Sequence, residues 1–137
     1  MKKTFHVVGA LIINDNKIFI TKRAEGDKEA IYKWEFPGGT VEIGETNEEA
    51  LKRELMEEFK VNLEVNDFIH RVVEEYEERI IDIAFYIGKT NDKFIIQEDH
   101  LDYKWIEPNQ LDNYDFAPVD QKFVDYLLEN NLLYKRW

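Results

Sequence analysis

Glu54, Glu57 and Glu58 are the residues of this sequence whose types and spacing could do chemistry together. Positions three and four apart on a helix share one face. On a helix the three carboxylates therefore crowd each other, and their repulsion disfavours the fold unless cations neutralise it. Lys52, Arg53 and Lys60 stand close by and could do so on a solvated face. The other neutraliser is Mg²⁺, a hard cation that takes carboxylate oxygens and keeps its remaining positions for water or phosphate oxygens. On the glutamates alone both readings stay open, a solvated acidic surface or a site for phosphate chemistry.

The surrounding pattern predicts the helix. Thr46 and Glu49, three residues apart, fit a capping box. Ala50, Leu51, Leu55 and Phe59 recur at helical spacing and would face a core. Upstream, the apolar run Phe5 to Ile13, the turn signal Asn14-Asp15-Asn16 and the return Lys17 to Thr21 predict a hairpin. Residues 22–33 read as polar and irregular. Pro37-Gly38-Gly39 argues against regular helix or a central strand over Trp34 to Val41. Two long strands are predicted at 62–76 and 79–88 around Glu77-Glu78, and a short one at Tyr103 to Ile106. Val119, Phe123, Val124, Leu127 and Leu128 mark a second amphipathic helix. This order of elements predicts an α/β sandwich with a mixed sheet.

The 137 residues suit a single domain, 1–137, with one sizeable core. Absence of cysteine rules out disulfides, thiolate metal sites and cysteine nucleophiles. A formal net charge of −11 repels phosphate backbones and argues against direct nucleic-acid binding. It leaves room for a small anionic substrate reached through divalent cations. No apolar run approaches the ~20 residues of a membrane span. Met1 to His6 lacks a leader-type apolar region, so a cytoplasmic location is expected.

The context of the glutamates decides between their two readings. Gly39 is followed after five residues by Glu45, and after seven more by Arg53-Glu54-Leu55, Met56, Glu57-Glu58, Phe59, Lys60 and Val61. This resembles the Nudix box: Gly, five residues, Glu, seven residues, Arg-Glu-aliphatic, one residue, Glu-Glu, one residue, Gly-aliphatic. The pattern fails at one place, where Lys60 stands for the glycine. At a usage of roughly 7% per residue, six fixed matches arise by chance about once in 10⁷ starting points. Glycine at the Lys60 position would supply a left-handed helix cap, a backbone state that disfavours lysine.

The resemblance implies a Nudix-type α/β/α sandwich and a Mg²⁺-dependent hydrolase, with Mn²⁺ as a substitute metal. It implies Glu54, Glu57 and Glu58 as metal ligands, joined by a carbonyl at Gly38 or Gly39. One of the glutamates would act as base, with Glu98 of the run Gln97-Glu98-Asp99-His100 as a second candidate. Glu45 and Arg53 take supporting roles, and an Arg53–Glu57 pair would orient the glutamate. Trp34-Glu35-Phe36-Pro37-Gly38-Gly39 and Asp115-Phe116-Ala117-Pro118-Val119-Asp120 are similar to the MutT-type subgroup and its CTP pyrophosphohydrolase relatives. By that likeness Arg23 would contact the phosphate or sugar, Phe36 and Arg79 would line the base pocket, and Asp120 would read the base edge. For each, a plain structural role is the alternative: core packing for Phe36, a solvated cation for Arg79, an N-cap for Asp120.

The implied reaction turns a nucleoside triphosphate and water into the monophosphate and pyrophosphate. The implied substrate is 8-oxo-dGTP, CTP or a modified dCTP, and the protein would be a monomer or homodimer. Two alternatives remain. One is a Nudix hydrolase of a diadenosine polyphosphate or nucleotide sugar, and the other is a non-catalytic nucleotide-binding module.

Overall fold

The first strand, β1 (Lys3–Asn14), buries side chains on both of its faces. Successive residues of a strand point to opposite sides. Val8, Ala10 and Ile12 enter one hydrophobic cluster, and Leu11, with Val7 and Ile13 at its margin, enters another. A strand apolar on both faces needs a layer on each side, and this one has them. The computed structural model describes residues 1–23, 30–96 and 100–134, with only the backbone of Arg23, His100, Leu101 and Tyr134.

β1 turns through Asp15 and Asn16, both at positive φ (51° and 63°), into β2 (Lys17–Arg23). Two consecutive residues in that region are what a tight type I′ hairpin turn demands, and Asp and Asn tolerate it best after glycine. Pro37 separates two short strands, β3 (Trp34–Glu35) and β4 (Gly38–Thr40), where the sequence argued against a regular one. β3 pairs with β2, and β4 pairs antiparallel with β1 through Val8↔Gly39 and Gly9↔Gly38. After helix α1 (Asn47–Phe59) come β5 (Glu64–Glu75) and β6 (Arg79–Lys89), an antiparallel pair. β6 lies parallel to β1 from Lys3↔Arg79 to Ile12↔Gly88, which makes the sheet mixed. β7 (His100–Ile106) pairs antiparallel with β2, and α2 (Pro118–Glu129) follows.

α1 covers one side. Ala50, Leu51, Leu55 and Phe59 are fully buried against Val8, Ala10, Ile12 and Phe19. α2 covers the other with Phe123, Val124 and Leu127. There Phe123 stacks on Phe85 at 3.8 Å between ring centres, and Phe36 lies edge-on to both. This is an α/β/α arrangement. Asp82, buried on β6, is held by the Arg71 guanidinium at 2.7 and 2.5 Å, and that hydrogen bond holds its carboxyl below the usual range. No helix among the described residues is long and apolar enough to cross a membrane.

The expected capping box is present. Glu49 N–H donates to Thr46 Oγ1 at 3.1 Å, and Thr46 N–H donates to Glu49 Oε1 at 2.9 Å. The other end carries the strain that the sequence implies. Lys60 closes α1 in the left-handed region, φ 60° and ψ 37°, with its N–H on the Met56 carbonyl. A side chain in that state costs roughly 1–2 kcal/mol. Its ammonium recovers part by donating to the Glu57 carbonyl at 3.3 Å. Lys60→Gly should therefore raise stability by about 1 kcal/mol in urea unfolding; an unchanged or lower midpoint would contradict this.

Candidate active site: a glutamate helix against a glycine loop

Arg53 organises the acidic face of α1. Its Nε and Nη2 donate to the two Glu45 oxygens at 2.7 and 2.9 Å, and Nη2 also reaches the Thr40 carbonyl at 3.0 Å. Its Nη1 donates to Glu54 at 3.0 Å and to Glu57 at 3.3 Å. One guanidinium thus ties the loop after β4 to two of the helix carboxylates. The Arg53 hydrogen bond, then one from the Glu42 N–H, lower the Glu45 carboxyl to about 2. Glu45 in turn is the main cause of a raised Arg53 pKa. The expected i,i+4 pair between Arg53 and Glu57 is present.

The glycine loop explains where Glu54 sits. A Cβ built on Gly39 would lie 2.3 Å from the Glu54 carboxyl carbon and 2.5 Å from each of its oxygens. Only a residue without a side chain lets that carboxylate rest on the loop backbone. A Cβ on Gly38 would lie 1.9 Å from the Val8 carbonyl, so this glycine serves the close approach of β4 to β1. Glu54 is mostly shielded, with its side chain 15% exposed, whereas Glu57 is 59% exposed. Among the described residues, no three acidic or histidine side chains already converge as a metal cage. The donor set still suits a hard divalent cation. It is all oxygen, it lies on one helix face, and Glu54 touches backbone that can add a carbonyl.

Gly39 also lines a cavity of about 210 Å³. Phe36, Arg79 and Asp120 line it, together with Gly38 and Gly39. Phe36 is also a core residue, 4% exposed and stacked on Phe116, as its core-packing alternative has it. Arg79 lies over the Tyr76 ring at 4.9 Å. Asp120 is not the N-cap of α2. Ala117 holds that position and Asp120 stands in the first turn, where its Oδ1 accepts from the Phe36 N–H at 3.0 Å. Burial first, and then the negative charge of Glu35, push the Asp120 carboxyl well above the ordinary range. Glu35 and Tyr76 also line the cavity. Glu35 has no role in the sequence reading, and its one signal is its place immediately before Phe36. The Arg23 side chain, Glu98 and the His100 side chain lie outside the described residues.

Comparison with known proteins agrees with this geometry. The NUDIX domain model matches residues 3–127. A Haemophilus influenzae protein named 8-oxo-dGTP diphosphatase is 35% identical over 93% of this chain and 93% of its own length. The CTP pyrophosphohydrolase of Escherichia coli is 33% identical over 86% of this chain and 87% of its own. The solution structure of the E. coli ORF135 protein superposes with a TM-score of 0.79 at 27% identity, covering 99% of this chain and 96% of that one. The chain belongs to the NUDIX domain family and is a MutT-type Nudix hydrolase.

Proposed function

We propose that this hydrolase converts a nucleoside triphosphate and water to the monophosphate and pyrophosphate, with 8-oxo-dGTP or CTP and modified dCTP as its substrates. Nucleotide-pool sanitising in the cytoplasm is the corresponding role, carried out by one domain. A single residue carries the proposal. Gly39 both lines the cavity and supports the Glu54 carboxylate, so a base bound in the cavity and the glutamate helix would be neighbours. The names of the H. influenzae and E. coli relatives support the same substrate class. At about 210 Å³ the cavity has room for a single base.

In this reading Glu54, Glu57 and Glu58, with a carbonyl of Gly38 or Gly39, hold Mg²⁺ or Mn²⁺. The metal supplies charge neutralisation on the phosphates and a water of lowered pKa. Arg53 keeps Glu54 and Glu57 on one face through the hydrogen bonds described. A glutamate of this set takes the proton of the attacking water. Phe36 and Asp120 bound the base, and Arg79 stands at the same cavity. Arg23 as a phosphate or sugar contact and Glu98 as a second base rest on the sequence.

A panel of canonical, methylated and oxidised nucleoside triphosphates with ADP-ribose and Ap4A, ranked by kcat/KM with Mg²⁺, tests the substrate class. An 8-oxoguanine or cytosine triphosphate should lead; ADP-ribose or Ap4A at the head would overturn the reading. Gly39→Ala tests the junction. The new methyl group meets the far end of a flexible side chain, so the fold survives while Glu54 is displaced. Turnover should fall by at least about tenfold with the thermal midpoint nearly unchanged. Normal turnover would mean that the Glu54 position does not matter.

A further inference from the structure

β2 sends its side chains alternately to two layers. Phe19 enters the cluster under α1, and Ile18 and Ile20 enter the one under α2. Lys22 follows the second set, so it faces away from the glutamate helix. The register brings two more residues to that face. Trp34 of β3 pairs with Lys22, and Lys104 of β7 pairs with Ile20. The side chains meet accordingly. The Lys22 ammonium lies 5.5 Å from the centre of the Trp34 ring, and the Lys104 ammonium lies 5.9 Å from it. Lys104 also stands 5.4 Å from the Tyr114 ring, which is edge-on to Trp34. Among the described residues, the walls of the cavity beside Gly39 include none of Lys22, Trp34 and Lys104.

Two ammoniums gathered on one indole repel each other. The ring face attracts each of them, by only ~0.5–1 kcal/mol at an exposed site. In a chain with 29 acids against 18 lysines and arginines, carboxylates are the expected counter-charge. Among the described residues neither ammonium has one in an ion pair. The acids nearest in the fold are engaged elsewhere. Asp115 holds Lys33 at 2.6 Å, and Asp102, the register partner of Lys22, accepts from the Tyr103 N–H at 2.8 Å. Trp34 is 7% exposed. Among the described residues its indole N–H has no acceptor, and it is not sealed from solvent. Ammonium and indole groups donate and never accept. The three together present positive charge and donors, with no acceptor of their own.

We infer that Lys22, Lys104 and Trp34 form a second anion site, separate from the glutamate helix and from the cavity, that takes a phosphoryl oxyanion. Such an ion carries several charged acceptor oxygens on one centre, so a single ion can engage both ammoniums and the indole N–H. Inorganic pyrophosphate carries more charge and more oxygens than orthophosphate and should bind more tightly. Chloride has one charge and no second acceptor atom with which to bridge the lysines. The positive charge here comes from lysine alone, so binding needs no divalent metal.

Titration of the protein with pyrophosphate in EDTA, followed through its indole N–H signals in ¹H–¹⁵N spectra, tests the site with the metal chemistry silenced. The chain has three tryptophans, and Trp34→Phe identifies the signal of interest by removing it. The Trp34 signal should shift saturably with pyrophosphate, less tightly with orthophosphate, and not saturably with sodium chloride at matched ionic strength. In the Lys22→Gln, Lys104→Gln double variant the affinity should fall at least about tenfold. CMP as a further titrant separates the sources of the phosphoryl group. A saturable Trp34 shift with CMP and none with pyrophosphate would overturn the free ion as ligand. No saturable shift with any of them, or an affinity unchanged in the double variant, would overturn the site. Circular dichroism melts of the double variant separate a lost site from a lost fold.

Discussion

The guanidinium of Arg53 is the constraint on which the site depends. α1 places Glu54, Glu57 and Glu58 on one face, in a chain of net charge −11. Left alone, those carboxylates would splay apart. Arg53 binds two of them, and its other nitrogens bind Glu45 and the Thr40 carbonyl. Helix and loop are thereby joined through one charged group, and Glu45 is lowered to about 2 as a result. A partner held this way stays ionised throughout the physiological range, so the loop keeps its grip on Arg53.

The sheet makes that junction useful. β4 reaches β1 only because Gly38 can pass within contact of the Val8 carbonyl, and the next residue, Gly39, then lies under Glu54. From the other side of the sheet, α2 is fixed by the stack of Phe123 on Phe85 and by the hydrogen bond from Phe36 to Asp120. Rings of this size bury ~150–250 Å² each, and truncating one in a core typically costs ~3–5 kcal/mol. That packing fixes Phe36, a residue of the cavity wall, between α2 and the sheet. The cavity wall and the support of the Glu54 carboxylate therefore share one residue, Gly39.

How much of this could be read beforehand depended on the range of the interaction. α1 was legible because its signals are local: Thr46 and Glu49 three residues apart, then four core residues at helical spacing. The left-handed state of Lys60 was legible too, because an absent glycine is itself a local signal. The hairpin at Asp15-Asn16 and the long pair around Glu77-Glu78 followed from alternation and turn residues. β4 was not legible as a strand. Its pairing rests on a contact with Val8 some thirty positions away, and Pro-Gly-Gly reads locally as a break. The N-cap alternative for Asp120 does not hold because α2 starts earlier, at Pro118. Glu35, a single acid beside a core phenylalanine, has no periodic or spacing signature, and only the fold brings it to the cavity.

The family match establishes the kind of enzyme, while the contact of Gly39 with Glu54 and the Arg53 network describe how this chain arranges the helix. The central claim is that the carboxylate face of α1 is the catalytic centre and no longer a solvated surface. Steady-state turnover of Glu57→Gln and Glu58→Gln with Mg²⁺, measured beside their urea unfolding midpoints, tests it most directly. Both positions lie on the partly exposed side of α1 and outside its buried core. The account predicts a fall in kcat of at least about 10²-fold with the midpoints retained. Full Mg²⁺-dependent turnover in either variant would contradict it.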